Sequence, residues 1–429
     1  MSDIPNIRPV GLNFQKLADI TPLILPYTGY LTPPQVATAY NMPASDGAGV
    51  KIGIIAPAGG GFLQSNLEYT FADMIAGGLL PQGTVTPTIN TVLLDGQLGT
   101  WTGGFNSPDP AILAKQAIDQ ENTLDIYCIA TLAPAADITM YIGSSFRSTV
   151  DRAVSDNCDI LAISYSYTVG EPALINMLLD ELSFSAAAEA KIAVCVASGD
   201  SGSSFAGQTV VKVAYPASSP NVISIGGTKL VLNTNNTRLT ETDDNRDPNL
   251  GATWGGGGGI SGYFDVPSWQ AGLSYTPIVN NVTGTPTALT KRGVPDISAA
   301  INQYIVRYDT QWILQSGTSA SAPLMAGMLA RFQALSGKRR SSAEYNALFY
   351  NHKNSFFDIT VGTNNTVITS GYAGTTDWDA VTGLGPPVAD KVYRYIKNGL
   401  RPVSGNVFPN HKFDQRPATG MTWPRTKTL

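Results

Sequence analysis

The 429-residue sequence has only two histidines and three cysteines, and charged residues make up just 14% of it. Hydrophobic residues account for 43%, and this balance excludes an intrinsically disordered chain, which needs many charges and few apolar residues. The net charge of −5 provides no basic field that would attract nucleic acid or anionic lipid. No apolar run approaches the roughly 20 residues of a membrane-spanning helix. The composition therefore predicts a globular protein with a large buried core.

The cysteines and the first residues bear on redox state and targeting. Cys128, Cys158 and Cys195 lie in apolar stretches and form no CxxC pair. We therefore expect three buried thiols rather than a disulfide framework or a zinc site. The first ten residues lack the basic and apolar segments of a secretory signal, so none is predicted.

Strand and helix patterns alternate through the first half of the chain. Buried strands are predicted at 50–56, 136–143, 158–166 and 191–198, and helices near 63–77 and at 109–130, 147–157 and 171–190. Such alternation is typical of an α/β fold with a mainly parallel central sheet and helices on both faces. Ligands in these folds bind at the carboxyl ends of the strands.

A serine at the start of an apolar helix is a candidate nucleophile. The helix is predicted from Ser319 to Ser336, and in the string GTSASAP (317–323) the small neighbours of Ser319 would let a substrate backbone come close. A helix N-terminus offers unpaired N–H groups and a partial positive charge that help to hold a developing oxyanion. Taken alone, the start of the helix is explained equally well by a Ser and a Thr that only cap a packed helix.

A serine nucleophile needs a base, and the sequence excludes an ordinary Ser-His-Asp triad, so either the protein is inactive or a different base serves. Both histidines, His352 and His411, follow the candidate serine, and the first core strand ends in Ala56 where a subtilisin-type triad requires an Asp. Glu121 and Asp125 offer a different base, because their i,i+4 spacing puts both carboxylates on one helix face. Two close carboxylates resist ionising together, so one keeps a proton while the other can accept one. The alternative is two solvated acids on an exposed helix face.

A third acid, Asp200, directly follows the predicted strand at 191–198. An Asp at this edge of the sheet can donate a hydrogen bond to an oxyanion only when it is protonated. Protonation requires an apolar site, low pH or both. The alternative is a turn-forming Asp in the string SGDSG.

Several motifs together resemble the sedolisins, or serine-carboxyl peptidases, the acid-active relatives of subtilisin. The matching stretches are YLTPPQVATAYNMP (30–43), ENTLDIYCIATLAPAADITMYIG (121–143), SGDSGSS (198–204), VAYPASSPNVISIGGT (213–228), GGGGISGYFDVPSWQ (256–270), RGVPDISA (292–299), SGTSASAPLMAG (316–327) and DWDAVTGLGPP (377–387). The resemblance implies a subtilisin-like three-layer fold. It also implies Ser319 as nucleophile, Glu121 as general acid/base, Asp125 as its partner and Asp200 as the acid of the oxyanion hole.

The resemblance implies two further sites. The segment Ser164, Tyr165 and Ser166 falls where the family binds extended substrate. One calcium ion is implied near the C-terminus, and carboxylates with carbonyl oxygens suit its coordination shell. By resemblance its ligands are the carboxylates of Asp358 and Asp379 and the carbonyls of Ile359, Thr375 and Asp377, with the Asp377 side chain as an alternative.

Three segments are predicted: an N-terminal extended arm (1–29), a peptidase domain (30–400) and a basic C-terminal tail (401–429). The tail holds five Lys or Arg and one Asp, and is read as a solvated arm or as a docking arm for an acidic partner. Members of the family normally carry a large folded prodomain, for which the residues before Tyr30 are too few. Met1 then indicates a branch without the prodomain or an engineered start.

The predicted function is a serine-carboxyl endopeptidase that cleaves protein or peptide substrates at acidic pH through an acyl-enzyme. The alternative is a structural or assembly protein that reuses the fold. No nucleic-acid partner and no membrane span are expected. The resemblance implies an extracellular or acidic compartment, which the residues themselves do not indicate.

Overall fold

The computed structural model describes residues 7–9, 13–16, 30–204, 210–243, 254–309, 311–365 and 368–398. The helices in these ranges are α1 (Pro33–Ala39), α2 (Gln64–Ala76), α3 (Pro110–Leu132), α4 (Phe146–Ser155), α5 (Leu174–Glu189), α6 (Thr318–Ser336), α7 (Ser342–Asn351) and α8 (Ala389–Asn398). The strands are β1 (Ile7–Pro9), β2 (Asn13–Lys16), β3 (Lys51–Ala56), β4 (Asn90–Leu93), β5 (Asp137–Ile142), β6 (Ile160–Ile163), β7 (Tyr165–Tyr167), β8 (Ala193–Ala197), β9 (Ile223–Leu232), β10 (Arg238–Thr242), β11 (Gly259–Asp265), β12 (Ser274–Val279), β13 (Val282–Thr283), β14 (Thr287–Ala288), β15 (Lys291–Val294), β16 (Ile297–Ala300), β17 (Tyr304–Tyr308), β18 (Gln311–Ser316) and β19 (Gly371–Ala373).

The central sheet has the strand order β10-β9-β8-β6-β3-β5-β4, with β16 paired to β9. All pairings within it are parallel except that of β10 with β9. The middle strands β3, β6 and β8 are apolar over nearly their whole length, because both faces of the sheet are covered. The parallel sheet that the strand–helix alternation predicted is thus confirmed.

Helix α6 forms the centre of the core and packs against α3 and the sheet strands β6, β8 and β9. It is buried almost throughout, so it shows no polar face. Gly327 lets the two helices approach closely, because a Cβ at this position would lie 2.9 Å from Leu132 Cβ of α3. This contact brings the second half of α3 into the interior, and residues 119–132 of α3 are all buried.

Most predicted elements are found within two residues of their expected bounds. The strand predicted at 158–166 is wrong as a single element, because it divides into β6 and β7 at Ser164. The chain changes partners there: β6 pairs with β3 and β8, whereas β7 pairs with β1 outside the central sheet. The three cysteines are free and buried, as expected.

The carboxyl ends of β3, β6 and β8 meet at one edge of the sheet, beside the N-terminus of α6. Ser164 follows β6, and Asp200 follows β8 by three residues. No helix among the described ranges is long and apolar enough to cross a membrane. The predicted basic tail, 401–429, and most of the predicted arm, 1–29, lie outside the described residues.

Candidate active site

The N-terminus of α6 presents Ser319 at the catalytic edge predicted from the sequence. Gly317 precedes the helix with φ of +136°, a conformation that L side chains rarely adopt, and Ser319 is the second helical residue. Pro323 has no N–H to donate to the Ser319 carbonyl four residues earlier. That carbonyl oxygen lies 3.3 Å from Ser164 Oγ instead, which ties the start of α6 to the end of β6.

Glu121 and Asp125 lie on the part of α3 that packs against α6, and both side chains are 0% exposed. The predicted common helix face is therefore a buried face, and the alternative of two solvated acids is excluded. No donor among the described residues meets hydrogen-bond geometry with either Glu121 oxygen. Two buried carboxyls with so few partners are unusual, because buried polar groups are nearly always paired.

Burial raises the pKa of Glu121 well above its usual range, and the charges of Asp125 and Asp200 raise it further. The hydroxyls of Ser319 and Ser164 oppose this rise, which requires both to lie close to the Glu121 carboxyl. Because neither contact meets hydrogen-bond geometry, both are long or poorly aligned, as is common at active sites without substrate. Burial also raises the pKa of Asp125. The two acids thus interact and hold their protons to higher pH than ordinary carboxyls do.

Ser164 supplies the hydrogen bond that orients Asp125. Its hydroxyl donates to Asp125 Oδ1 over 2.6 Å, and this bond lowers the pKa of Asp125 against the effect of burial. Sequence analysis assigned Ser164 to substrate binding only. The structure places its side chain, which is 0% exposed, behind the carboxyl pair. The strand pattern gave no signal for this contact, because it joins residues 39 positions apart.

Asp200 is held against the first turn of α6. Its Oδ1 accepts hydrogen bonds from the Thr318 backbone N–H at 2.7 Å and from the Thr318 hydroxyl at 2.9 Å. The same hydroxyl also contacts the Gly199 carbonyl at 3.1 Å. With Oδ1 engaged by Thr318, a proton offered to an oxyanion would be carried on Oδ2. The four residues expected to perform catalysis are therefore grouped at one edge of the sheet.

Two polar residues of α3 that sequence analysis missed fix the surrounding loops. Asp119 accepts hydrogen bonds from the Gly61 N–H at 2.8 Å and the Thr102 N–H at 2.6 Å. Asn122 donates to the Gly61 carbonyl at 3.2 Å and accepts from the Tyr165 hydroxyl at 2.6 Å. These residues flank the candidate general base along the helix. They couple it to the loops after β3 and β4 and to the segment expected to bind substrate.

The residues of the predicted calcium site also come together, in a separate region. Asp379 is fully buried, and its two oxygens accept backbone N–H groups of Thr375, Val381 and Thr382. Asp358 accepts the N–H of Asp377 at 2.9 Å. Ile359 follows Asp358 directly and is 4% exposed.

The carboxylates of this loop offer oxygen ligands of the kind that calcium prefers. Burial raises the pKa of Asp379 to about 7, and the nearby charge of Asp358 contributes to the rise. The pKa of Asp358 is raised by burial and by Asp377. Lys353 Nζ lies 3.5 Å from Asp377 Oδ2. One positive charge therefore faces the three acids Asp358, Asp377 and Asp379. No cluster of three or more His, Cys, Asp or Glu side chains within the described ranges forms a metal site, so any ion here would depend on carbonyl oxygens.

Comparisons with known proteins identify relatives of the chain. The Subtilase family model matches residues 117–364. Kumamolisin from Bacillus sp. (strain MN-32) is 33% identical over 378 residues, which are 85% of this chain and 63% of the relative. Sedolisin from Pseudomonas sp. (strain 101) is 28% identical over 383 residues, 85% of this chain and 61% of the relative. The chain thus spans less than two thirds of the length of these relatives.

A solved structure shares the fold. It is that of Pseudomonas sedolisin, described as a serine-carboxyl proteinase, complexed with two molecules of pseudo-iodotyrostatin. It superposes with a TM-score of 0.65 at 26% sequence identity and covers 86% of this chain and 98% of its own. The subtilisin-like fold expected from the sequence is therefore confirmed.

Proposed function

The chain belongs to the subtilase family and, within it, to the sedolisin group of serine-carboxyl peptidases, and from this premise we propose that it hydrolyses peptide bonds at acidic pH. The observation that carries the proposal is the buried cluster of Ser319, Glu121 and Asp125 between α3 and α6. A serine at a helix N-terminus beside two carboxyls with raised pKa values is suited to nucleophilic catalysis without histidine.

The first half of the reaction forms an acyl-enzyme. Ser319 Oγ attacks the carbonyl carbon of the scissile bond, and its proton passes to the ionised Glu121. Ser164 holds Asp125 in place. Asp125 keeps the one proton of the carboxyl pair and orients Glu121. The tetrahedral intermediate then breaks its C–N bond, and Glu121 returns the proton to the leaving amine. In the second half, water attacks the ester carbonyl and gives its proton to Glu121. The ester C–O bond then breaks, and Glu121 returns the proton to Ser319.

Asp200 is proposed to stabilise the oxyanion with the positive end of α6. A protonated Asp200 would donate from Oδ2, while Thr318 holds Oδ1. One donor of this kind contributes about 3 kcal/mol to transition-state stabilisation. Asp200 must keep this proton, and the pair of Glu121 and Asp125 must also keep one. Both requirements give the proposed preference for acidic pH.

Peptides are the proposed substrates, and β7 is proposed to bind them in extended form through Tyr165 and Ser166. We also propose one calcium ion at Asp358 and Asp379, with the carbonyls of Ile359, Thr375 and Asp377 completing its shell. The ion would stabilise the loop that follows β19. It would take no part in the chemistry.

Turnover of a purified preparation on a denatured protein at pH 3–5 tests the function. Ser319→Ala should abolish hydrolysis. Ser321→Ala is the matched control, because it makes the same change on the same helix at a hydroxyl whose one hydrogen bond among the described residues is to the Thr318 carbonyl. Equal rates in Ser319→Ala and the unaltered protein would sink the proposal and favour the assembly role instead.

A further inference from the structure

Helix α5 presents an apolar stripe to solvent. Five of its large aliphatic side chains are 43–63% exposed: Leu174, Ile175, Leu178, Leu179 and Leu182. They lie on two adjacent rows with i,i+4 spacing, so they form one continuous surface, here called the α5 stripe. Single exposed leucines are ordinary on protein surfaces, whereas a contiguous group of five marks an interaction surface.

The α5 stripe faces outward because the acids of the same helix face inward. Asp180 and Glu181 are 5% and 9% exposed, although acids are rarely buried without partners. Asp180 accepts a hydrogen bond from the Tyr167 hydroxyl at 2.7 Å. Glu181 accepts hydrogen bonds from the Ser219 hydroxyl at 3.0 Å and from the Asn221 amide at 2.8 Å. Turning the helix to bury its leucines would break all three bonds, so the fold itself keeps the stripe at the surface.

An identical stripe is a suitable partner for this one. Between Leu174 and Leu182 the only charged residues of α5 are the two buried acids, so two copies can meet there without burying an unpaired ion. Rows of side chains with i,i+4 spacing pack into the grooves between the same rows of another helix, which is the commonest class of helix packing. In a twofold dimer the same patch serves both subunits. Leu178, the middle residue of the stripe, would then lie close to the symmetry axis.

The charges beside the α5 stripe also suit a second copy. The side chains of Arg147 and Asp151 on α4, which packs against α5, are 56% and 52% exposed. The charge of Arg147 lowers the pKa of Asp180 and that of Asp151 raises it, so both lie close to α5. A rim that holds both signs can pair with its own copy, whereas a strongly basic partner would meet like charge as well as opposite charge. The basic tail, 401–429, is therefore a poorer partner for this surface.

The area of the α5 stripe is sufficient for a weak dimer. Five half-exposed aliphatic side chains present about 500 Å², which is towards the upper end for the largest apolar patch of a monomer. Two such faces would bury about 1,000 Å² in total, the least that a specific interface needs. Interfaces of this size are typical of weak association.

We propose that α5 is the interface of a homodimer in which the α5 stripes of two copies pack together across a twofold axis. The proposal does not depend on the proposed peptidase activity, since it uses no catalytic residue. It does bear on the segment proposed to bind substrate, because Asp180 of α5 holds Tyr167 at the end of β7. Helix α5 would therefore link the interface to that segment in each subunit.

Sedimentation velocity at pH 7, from about 1 to 100 μM, tests the dimer over the concentrations at which weak interfaces form. We expect a species with twice the mass of one chain at the upper concentrations. Leu178→Glu should weaken association about 100-fold, because two like charges would meet near the axis. Leu335→Glu on α6 is the matched control, since it makes the same change at a helical leucine of similar exposure, 43%, and should leave association unchanged. Thermal melting checks that each variant is folded, and Leu182→Glu serves if Leu178→Glu is not.

A thiol at the same position tests the geometry of the dimer. The three natural cysteines are buried, so a short bismaleimide should link two copies of the Leu178→Cys protein and leave the Leu335→Cys protein unlinked. A chain that stays monomeric at the highest concentration overturns the proposal and assigns the α5 stripe to a different partner. A dimer that forms equally well with Leu178→Glu, or that the bismaleimide does not link through Leu178→Cys, also overturns it.

Discussion

Ser164→Ala should move the acidic limb of the pH–rate profile to higher pH. The Ser164 hydroxyl donates to the buried Asp125 over 2.6 Å and holds down its pKa. A hydrogen bond to a charged group contributes about 1.5–3 kcal/mol. Since one pKa unit corresponds to about 1.4 kcal/mol, its loss should raise the pKa at which the pair first ionises by about one to two units. The midpoint of the acidic limb is the pKa at which the coupled pair loses its first proton, whichever carboxyl then carries the charge, so the limb moves in the same direction.

The assay is kcat/KM on a fluorogenic peptide from pH 2.5 to pH 8. Ser166→Ala is the control, because it removes a buried hydroxyl two residues away that has no hydrogen-bond partner among the described residues. Any effect of Ser166→Ala is expected on KM, through the substrate segment, so its acidic limb should stay in place. An unmoved limb in Ser164→Ala, or the same shift in both variants, would refute the role given to this hydrogen bond.

Three further predictions concern the other acids. Asp200→Ala should lose about 3 kcal/mol of transition-state stabilisation, whereas Asp200→Asn keeps a donor that needs no proton and should extend activity to higher pH; pH profiles of both variants check this. Burial raises the pKa values of Glu121 and Asp125 in the folded state, so their contribution to stability is complete below the pKa of an unfolded carboxyl and is lost as pH rises through the folded values. Glu121→Gln should therefore raise the melting temperature relative to the unaltered protein more at pH 7 than at pH 4, and an equal difference at both would contradict the linkage. Finally, a chelator at neutral pH should lower the melting temperature, and Asp379→Ala should remove that sensitivity; a melting curve indifferent to chelator argues against the ion.

The candidate catalytic residues could be named from the sequence because their signals are local. Ser319 begins a helix in a distinctive string of small residues, and Glu121 and Asp125 are one helical turn apart. The spacing showed that the acids share a face but not that the face is buried. Burial depends on the packing of α3 against α6, which Gly327 permits by its close approach to Leu132. Helical periodicity carries no information about that contact.

The contacts that sequence analysis missed are those between distant segments. Ser164 was assigned to a continuous strand, and its bond to Asp125 depends on where β6 ends relative to α3. The pairing of β1 with β7 joins residues more than 150 positions apart, and Ile7–Pro9 has no motif that indicates its partner. Such pairings are set by the fold as a whole, so they become visible only in three dimensions.

The pH–rate profile of Glu121→Gln is the sharpest test of catalysis by carboxyls, because glutamine keeps the size of the side chain but cannot accept the serine proton. We expect kcat/KM on a fluorogenic peptide to fall about 10²–10⁴-fold at every pH from 3 to 8, the range expected for loss of a general base. We also expect the unaltered protein to be most active in acid and melting curves to show both proteins folded. Turnover that persists in Glu121→Gln, or unaltered activity that peaks above pH 8, would contradict catalysis by carboxyls.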